Sequence, residues 1–147
     1  MAVTISIAGA SDAEDLTGAF RSLVPQLSRS NPPPTRDEVE ALLADSAASQ
    51  FVARGDDGQI VGVATLIIFR IPTGLRAWIE DVIVDEGASR QGIGRALTEA
   101  MLDHARSRGC VTVDLTSRPS REAANRLYLA AGFEQRDTNV WRHPLGS

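Results

Sequence analysis

The sequence predicts an α/β fold, in which one mixed sheet of about seven strands carries about four helices on both its faces. Three observations point there. Apolar residues recur at helical spacing in four segments and cluster or alternate in seven others. Two apolar runs, Gln50 to Arg54 and Gln59 to Ile71, flank Gly55-Asp56-Asp57-Gly58, which is a hairpin signal. Strands and helices alternate in the second half, which implies local parallel pairing in a sheet that hairpins elsewhere make mixed. At 147 residues the chain has the size of a single domain, expected to span 1–147.

In chain order, Val3 to Ile7 alternates β-branched residues and reads as the first strand. Ser11 and Glu14 have the spacing of a capping box before a helix carrying Leu16, Phe20, Leu23 and Leu27. Pro32-Pro33-Pro34 is a stiff extended connector. Thr35 and Glu38 then make a second capping box, opening a helix with Val39, Leu42 and Leu43 on one side. After the hairpin, Leu75 to Val84 reads as a strand, and residues 92–107 place Ile93, Leu97, Ala100, Met101 and Ala105 at helical spacing. Gly109 suits a left-handed cap, and Cys110 to Leu115 is a further strand. Pro119 and Gly132 bracket the last helix, and Phe133 to Gln135 with Thr138 to His143 read as a closing hairpin.

Composition narrows the functions. Hydrophobic residues make up 43% and charged residues 23%, ordinary globular usage, and the net charge of −4 argues against generic nucleic-acid or membrane-surface binding. The segment Met1 to Gly9 lacks a basic region followed by a long apolar run, so no signal peptide is expected. One cysteine, Cys110, fits a reducing cytoplasm and reads as a small apolar strand residue. His104 and His143 are expected at the surface, and no metal site is expected. Trp78 and Trp141 read as packing residues.

The richest segment is a strand, a loop and a helix. Ile79-Glu80-Asp81-Val82-Ile83-Val84 runs into Ser89-Arg90-Gln91-Gly92-Ile93-Gly94-Arg95-Ala96. A glycine turn feeding a helix leaves backbone N–H groups unpaired at the positive end of the helix dipole, a setting that suits phosphate. Arg90 and Arg95 can add cationic side chains. A dinucleotide fingerprint needs a third glycine, but Leu97 stands three places after Gly94; a P-loop needs Gly-Lys-Ser/Thr, which is missing.

These residues resemble the GNAT superfamily of CoA-dependent N-acetyltransferases. That family's pyrophosphate loop, Arg/Gln-x-x-Gly-x-Gly/Ala, follows a strand of the type at Glu80 to Val84. Its second signature, Leu-Tyr-x-x-x-Gly-Phe, stands here as Leu127-Tyr128-Leu129-Ala130-Ala131-Gly132-Phe133. The resemblance implies a mostly antiparallel sheet and acetyl-CoA as cosubstrate. It further implies cofactor contacts from the backbone of Val82, Ile83 and Val84, from Ser89 through Ala96 (Ser89, Arg90, Gln91, Gly92, Ile93, Gly94, Arg95, Ala96), and from Arg121 and Tyr128. Two positions depart from the pattern. Ser89 stands where the family has Arg or Gln, and Arg121 where many relatives carry Asn.

Acetyl transfer to an amine needs a base, because an alkyl ammonium with a pKa near ~10 is mostly protonated at neutral pH. In a regular strand Trp78, Glu80, Val82 and Val84 share one face, and Ile79, Asp81 and Ile83 the other. The resemblance to spermidine/spermine and glucosamine-phosphate acetyltransferases favours Glu80 as base or substrate ligand, with Asp81 second; a charge pair facing water is the plain alternative. It likewise implies that Tyr128 protonates the CoA thiolate, against a tyrosine merely packed in the core. The expected function is direct acetyl transfer from acetyl-CoA to a small-molecule amine or peptide in a ternary complex, with no nucleic acid or membrane as partner. A non-catalytic acyl-CoA-binding domain of the same fold is the alternative. The family resemblance also allows a homodimer.

Overall fold

A computed structural model describes residues 2–89 and 91–146. Among these the chain forms five strands: β1 (Thr4–Ile7), β2 (Ala48–Arg54), β3 (Ile60–Ile71), β4 (Gly74–Val84) and β5 (Thr112–Asp114). It also forms four α-helices: α1 (Ala13–Leu27), α2 (Arg36–Ala44), α3 (Ile93–Ser107) and α4 (Glu122–Ala130). Two compact units divide the chain after Thr116. Among the described residues no helix is long and apolar enough to cross a membrane.

In the first unit the strands lie in the order β1-β2-β3-β4-β5, antiparallel except for the parallel pair β4–β5. Consecutive strand residues point to opposite faces, and β2 shows which helix takes which face. Val52 joins a buried cluster with Leu16, Phe20 and Leu23 of α1, Val39 of α2, and Val63 and Ile83 of the sheet. Its neighbour Phe51 meets His104 of α3 edge-on, with ring centroids 5.8 Å apart. The sheet is therefore covered on one side by α1 and α2 and on the other by α3.

Local chemistry explains most boundaries. The Thr35 box forms: the Glu38 N–H donates to Thr35 Oγ1 at 3.2 Å, and the Thr35 N–H donates to Glu38 Oε1 at 2.9 Å. The Ser11 box does not. A 3-10 turn over Ala10–Asp12 precedes α1, and Asp12 Oδ2 reaches back to the Gly9 N–H at 2.8 Å instead. Asp12 can accept there and leaves no role for Ser11 as the cap. Gly109 ends α3 with φ 82°, as its position predicts. His104, expected at the surface, is half-buried because its helix face lies on Phe51.

The second unit holds α4. Gly132 takes φ 97°, and the Phe133 N–H donates to Tyr128 O at 2.9 Å, closing the helix end. The expected closing hairpin does not form: no strand is present in residues 133–146. Its first arm is only three residues long, and Arg136-Asp137 has no glycine to take positive φ. Such a two-stranded ribbon is marginal by itself in water. Trp141, expected to pack, is 87% exposed, and Val140 is 70% exposed. The sheet accordingly has five strands, not seven.

Candidate active site

The strand–loop–helix segment is anchored from α1. Gln26 Nε2 donates to Asp85 Oδ1 at 3.1 Å, while Gln26 Oε1 accepts from the Glu86 N–H at 3.0 Å. The Asp85 N–H donates to Val61 O at 2.9 Å, tying the end of β4 to β3. Gln26 was not singled out from sequence, since a glutamine late in an amphipathic helix carries no pattern of its own.

Gly92 stands at the start of α3 with φ 76°, a left-handed conformation that glycine takes without strain. No side chain caps the helix there among the described residues, and its first turn holds no acidic residue. The Ala96 N–H donates to Gly92 O at 3.0 Å. The preceding N–H groups, on Ile93, Gly94 and Arg95, thus have no intrahelical acceptor and point out of the helix end. A Cβ at Gly92 would meet nothing within 4 Å, so the space before the helix is open. These features fit a pyrophosphate group.

The expected cationic side chains are a different matter. Arg95 is engaged along its own helix, with Nε 2.7 Å from Glu99 Oε1. Ser89 and Gln91 are exposed. Arg90 lies outside the described residues.

β4 is not a regular strand. Thr65 pairs with Glu80 and Val63 with Ile83, so Ala64 stands opposite two residues, Asp81 and Val82. Asp81 absorbs the extra residue with φ 51°. This is a β-bulge, which bends a strand and raises its twist. It corrects the expected alternation: Ile83 lies on the same face as Trp78 and Glu80, in the core cluster under α1. Ladder pairing between β4 and β5 covers only Arg76–Trp78 against Thr112–Asp114. Beyond Trp78, the outer edge of β4 has no partner strand among the described residues of its unit. Val82, Ile83 and Val84 lie along that edge, beyond the ladder with β5.

Glu80 is exposed and held by Trp78, whose Nε1 donates to Glu80 Oε1 at 2.7 Å. Trp78, expected from sequence to pack, is half-buried and orients the Glu80 carboxylate. Asp81 reaches solvent, yet the surrounding protein partly desolvates it, and this, with the Glu80 charge beside it, holds its carboxyl above the ordinary range. Glu80 and Asp81 thus differ in environment although they are neighbours in sequence.

In the second unit, Tyr128 is buried on α4 and meets Phe133 edge-on at 5.6 Å between ring centroids. Burial pushes its phenol up from the ordinary value, and the Arg121 charge at the head of α4 partly offsets this.

Comparison with known proteins matches these features. The profile of the "Acetyltransferase (GNAT) family" matches residues 16–133, most of the chain. The chain is 28% identical over 135 residues to glucosamine 6-phosphate N-acetyltransferase 1 of Oryza sativa subsp. japonica, covering 86% of this chain and 79% of that protein. It is 34% identical over 103 residues to aminoglycoside N(6')-acetyltransferase type 1 of Klebsiella aerogenes, covering 67% of this chain and 68% of that protein. Among solved structures, the ribosomal-protein-alanine N-acetyltransferase of Brucella melitensis biovar Abortus 2308 superposes with a TM-score of 0.79 at 25% identity, over 99% of this chain and 100% of that one. An uncapped helix start behind a bulged strand, in a sequence that matches the family's profile along most of its length, has one consistent reading: the chain belongs to the GNAT acetyltransferase family.

Proposed function

We propose that the chain acetylates a primary amine of a small molecule or peptide by direct attack on acetyl-CoA, with Glu80 as the proton acceptor. The observation that carries this reading is the bulge at Asp81. Within one unit it sets a carboxylate beside a strand edge free to bind a thioester arm, on a strand that leads to an uncapped helix end suited to pyrophosphate.

Each group has a defined task. The N–H groups of Ile93, Gly94 and Arg95 take the pyrophosphate oxygens, and the helix dipole favours their charge. The free edge over Val82, Ile83 and Val84 holds the amide-bearing arm. Glu80 removes the proton from the acceptor ammonium, directly or through water, which frees the nitrogen lone pair. The nitrogen then bonds to the thioester carbon, the C–S bond breaks and the thiolate leaves, while the nitrogen gives up a second proton to solvent and becomes the neutral amide. The Tyr-x-x-x-Gly-Phe signature supports Tyr128 as the proton source for that thiolate. An ordinary phenol, with a pKa near ~10, is already protonated at neutral pH, and burial raises Tyr128 further.

Calorimetric titration with acetyl-CoA tests the cosubstrate. Thiol release with glucosamine 6-phosphate, kanamycin or an alanyl peptide as acceptor then tests the transfer, in wild type against Glu80→Gln. Binding and turnover, with turnover lost in Glu80→Gln, is the expected result. Binding without transfer to any acceptor would support a non-catalytic acyl-CoA-binding domain, and a folded protein that binds no acetyl-CoA would overturn both readings.

A further inference from the structure

A row of polar side chains crosses three strands beside Glu80. Gln50 of β2 is the register partner of Thr65 of β3, and Thr65 is the partner of Glu80 of β4. Partners in adjacent antiparallel strands share a face, with Cβ atoms about 4.5–5.5 Å apart. The row lies on the face that α1 and α2 cover, one step past Val63 and Ile83 of the core. Gln50 is 2% exposed, Thr65 is half-buried and Glu80 is exposed, so the row runs from the interior to solvent.

The hydrogen bonds in this row have only one consistent direction. Gln50 Nε2 donates to Phe51 O at 3.3 Å and to Ala64 O at 3.1 Å. Both partners are carbonyls, which cannot donate, so the amide cannot be flipped. Gln50 Oε1 is therefore an acceptor, and it takes the Thr65 hydroxyl proton at 2.7 Å. A hydroxyl has one proton. With that proton committed to Gln50, Thr65 Oγ1 has only lone pairs left for any other partner. At Glu80 the Trp78 indole donates to Oε1, and among the described residues no donor is given to Oε2. Two side chains at partner positions of the ladder thus offer acceptors and no donor.

We infer that Thr65 is a binding residue for the acceptor nitrogen, its polarity fixed by Gln50, so that Thr65 Oγ1 and Glu80 Oε2 together select a donor-rich ammonium group. The inference rests on the acetyl-transfer reading and adds a residue to it. An ammonium brings three N–H donors, whereas a carboxylate or phosphate brings only acceptors and would meet two unpaired oxygens. When one proton passes to Glu80, Thr65 keeps hold of a remaining N–H and so orients the lone pair that the transfer creates. Gln50 acts through Thr65 and is a positioning residue. Its amide would otherwise be an odd choice for a fully buried strand position, where an apolar residue is the ordinary occupant.

Steady-state kinetics with glucosamine 6-phosphate, kanamycin and an alanyl peptide test this, alongside acetyl-CoA calorimetry and thermal melting. Thr65→Val should raise KM for the amine about tenfold or more, the usual effect of removing a hydrogen bond to a charged group. Its affinity for acetyl-CoA should stay at the wild-type value, and Thr65→Ser should restore KM to within about threefold. Thr65→Val also strands the Gln50 oxygen, so the double variant Gln50→Met/Thr65→Val serves as a folding control. Replacing both partners removes the stranded amide oxygen, though it also gives up the bonds Gln50 makes to Phe51 O and Ala64 O, and with the acceptor still missing KM should remain high. A wild-type amine KM in both Val variants, with turnover intact, would overturn the inference while leaving acetyl transfer standing. Failure of the wild type to acetylate any of the three amines would overturn the functional reading first and this inference with it.

Discussion

Gly62 and Ile93 approach so closely that a Cβ on Gly62 would stand 3.0 Å from Ile93 Cγ2, and 3.3 Å from Leu97 Cδ1. The contact seats the first turn of α3 on β3 and so sets where the open end of that helix lies. Gly62→Val should force the turn off the sheet, destabilising the protein by about 1–3 kcal/mol, the usual cost of overpacking. Acetyl-CoA affinity should fall in the same variant. Urea denaturation and calorimetry measure the two effects, and a variant with native affinity would uncouple the contact from cofactor binding.

At the helix start itself, strain and charge can be separated. Gly92 has φ 76°, and a side chain there would enter open space. Gly92→Gln and Gly92→Glu impose the same backbone penalty, about 1–2 kcal/mol. Only the glutamate sets a negative charge among the unpaired N–H groups. Acetyl-CoA should therefore bind Gly92→Glu at least about tenfold more weakly than Gly92→Gln at low ionic strength. Raising the salt should narrow the gap. Equal affinities would mean that pyrophosphate is bound elsewhere.

Asp81 gives a pH-dependent prediction. Desolvation first, and the Glu80 charge second, hold its carboxyl above the ordinary range in the folded protein. The folded state therefore keeps that proton more tightly than the unfolded state does. Stability falls as pH climbs from the unfolded value, about 3.9, through the raised folded one. Asp81→Asn removes the charge and still tolerates positive φ, so it should melt higher than wild type at pH 7. The advantage should shrink to nothing in acid below the ordinary carboxylate range. Asp81→Val, β-branched at φ 51°, should instead lose about 1–2 kcal/mol at every pH. An Asn variant no more stable than wild type at pH 7 would show that Asp81 is well solvated.

Tyr128 should matter for turnover more than for binding. Tyr128→Phe keeps the ring that meets Phe133 and removes only the hydroxyl. If the phenol protonates the thiolate, kcat should fall about a hundredfold, with acetyl-CoA affinity nearly unchanged. Burial raises the phenol above its ordinary value despite Arg121, so its ionisation should not shape the rate profile below about pH 10. A wild-type kcat in Tyr128→Phe would assign the proton to another donor.

What the sequence made legible follows from how local each signal is. The Thr35 capping box, the glycines after α3 and α4, and the Gly55–Gly58 turn act through neighbours in the chain, and each stands where its residues place it. The helix start at Gly92 was legible for the same reason. The bulge was not. Alternation along Trp78, Glu80 and Val82 reads as a straight strand, and Asp81 tolerates a left-handed conformation without demanding one. Gln50, Thr65 and Gln26 matter through partners 15 to 60 residues away in sequence, which no local pattern displays. The closing hairpin was expected from short apolar runs, but such runs form strands only where a third strand or a helix covers them.

Deleting Asp81 would leave every remaining side chain of β4 on its present face, since the bulge adds one residue between Glu80 and Val82. Trp78 and Glu80 would still share their side with Ile83, and the core under α1 would keep its composition. The strand would simply run straight, free to lengthen its ladder with β5 and close the edge that a thioester arm needs. On the acetyl-transfer reading, a change of one residue would thus trade a place for the cosubstrate against a longer, fully paired ladder.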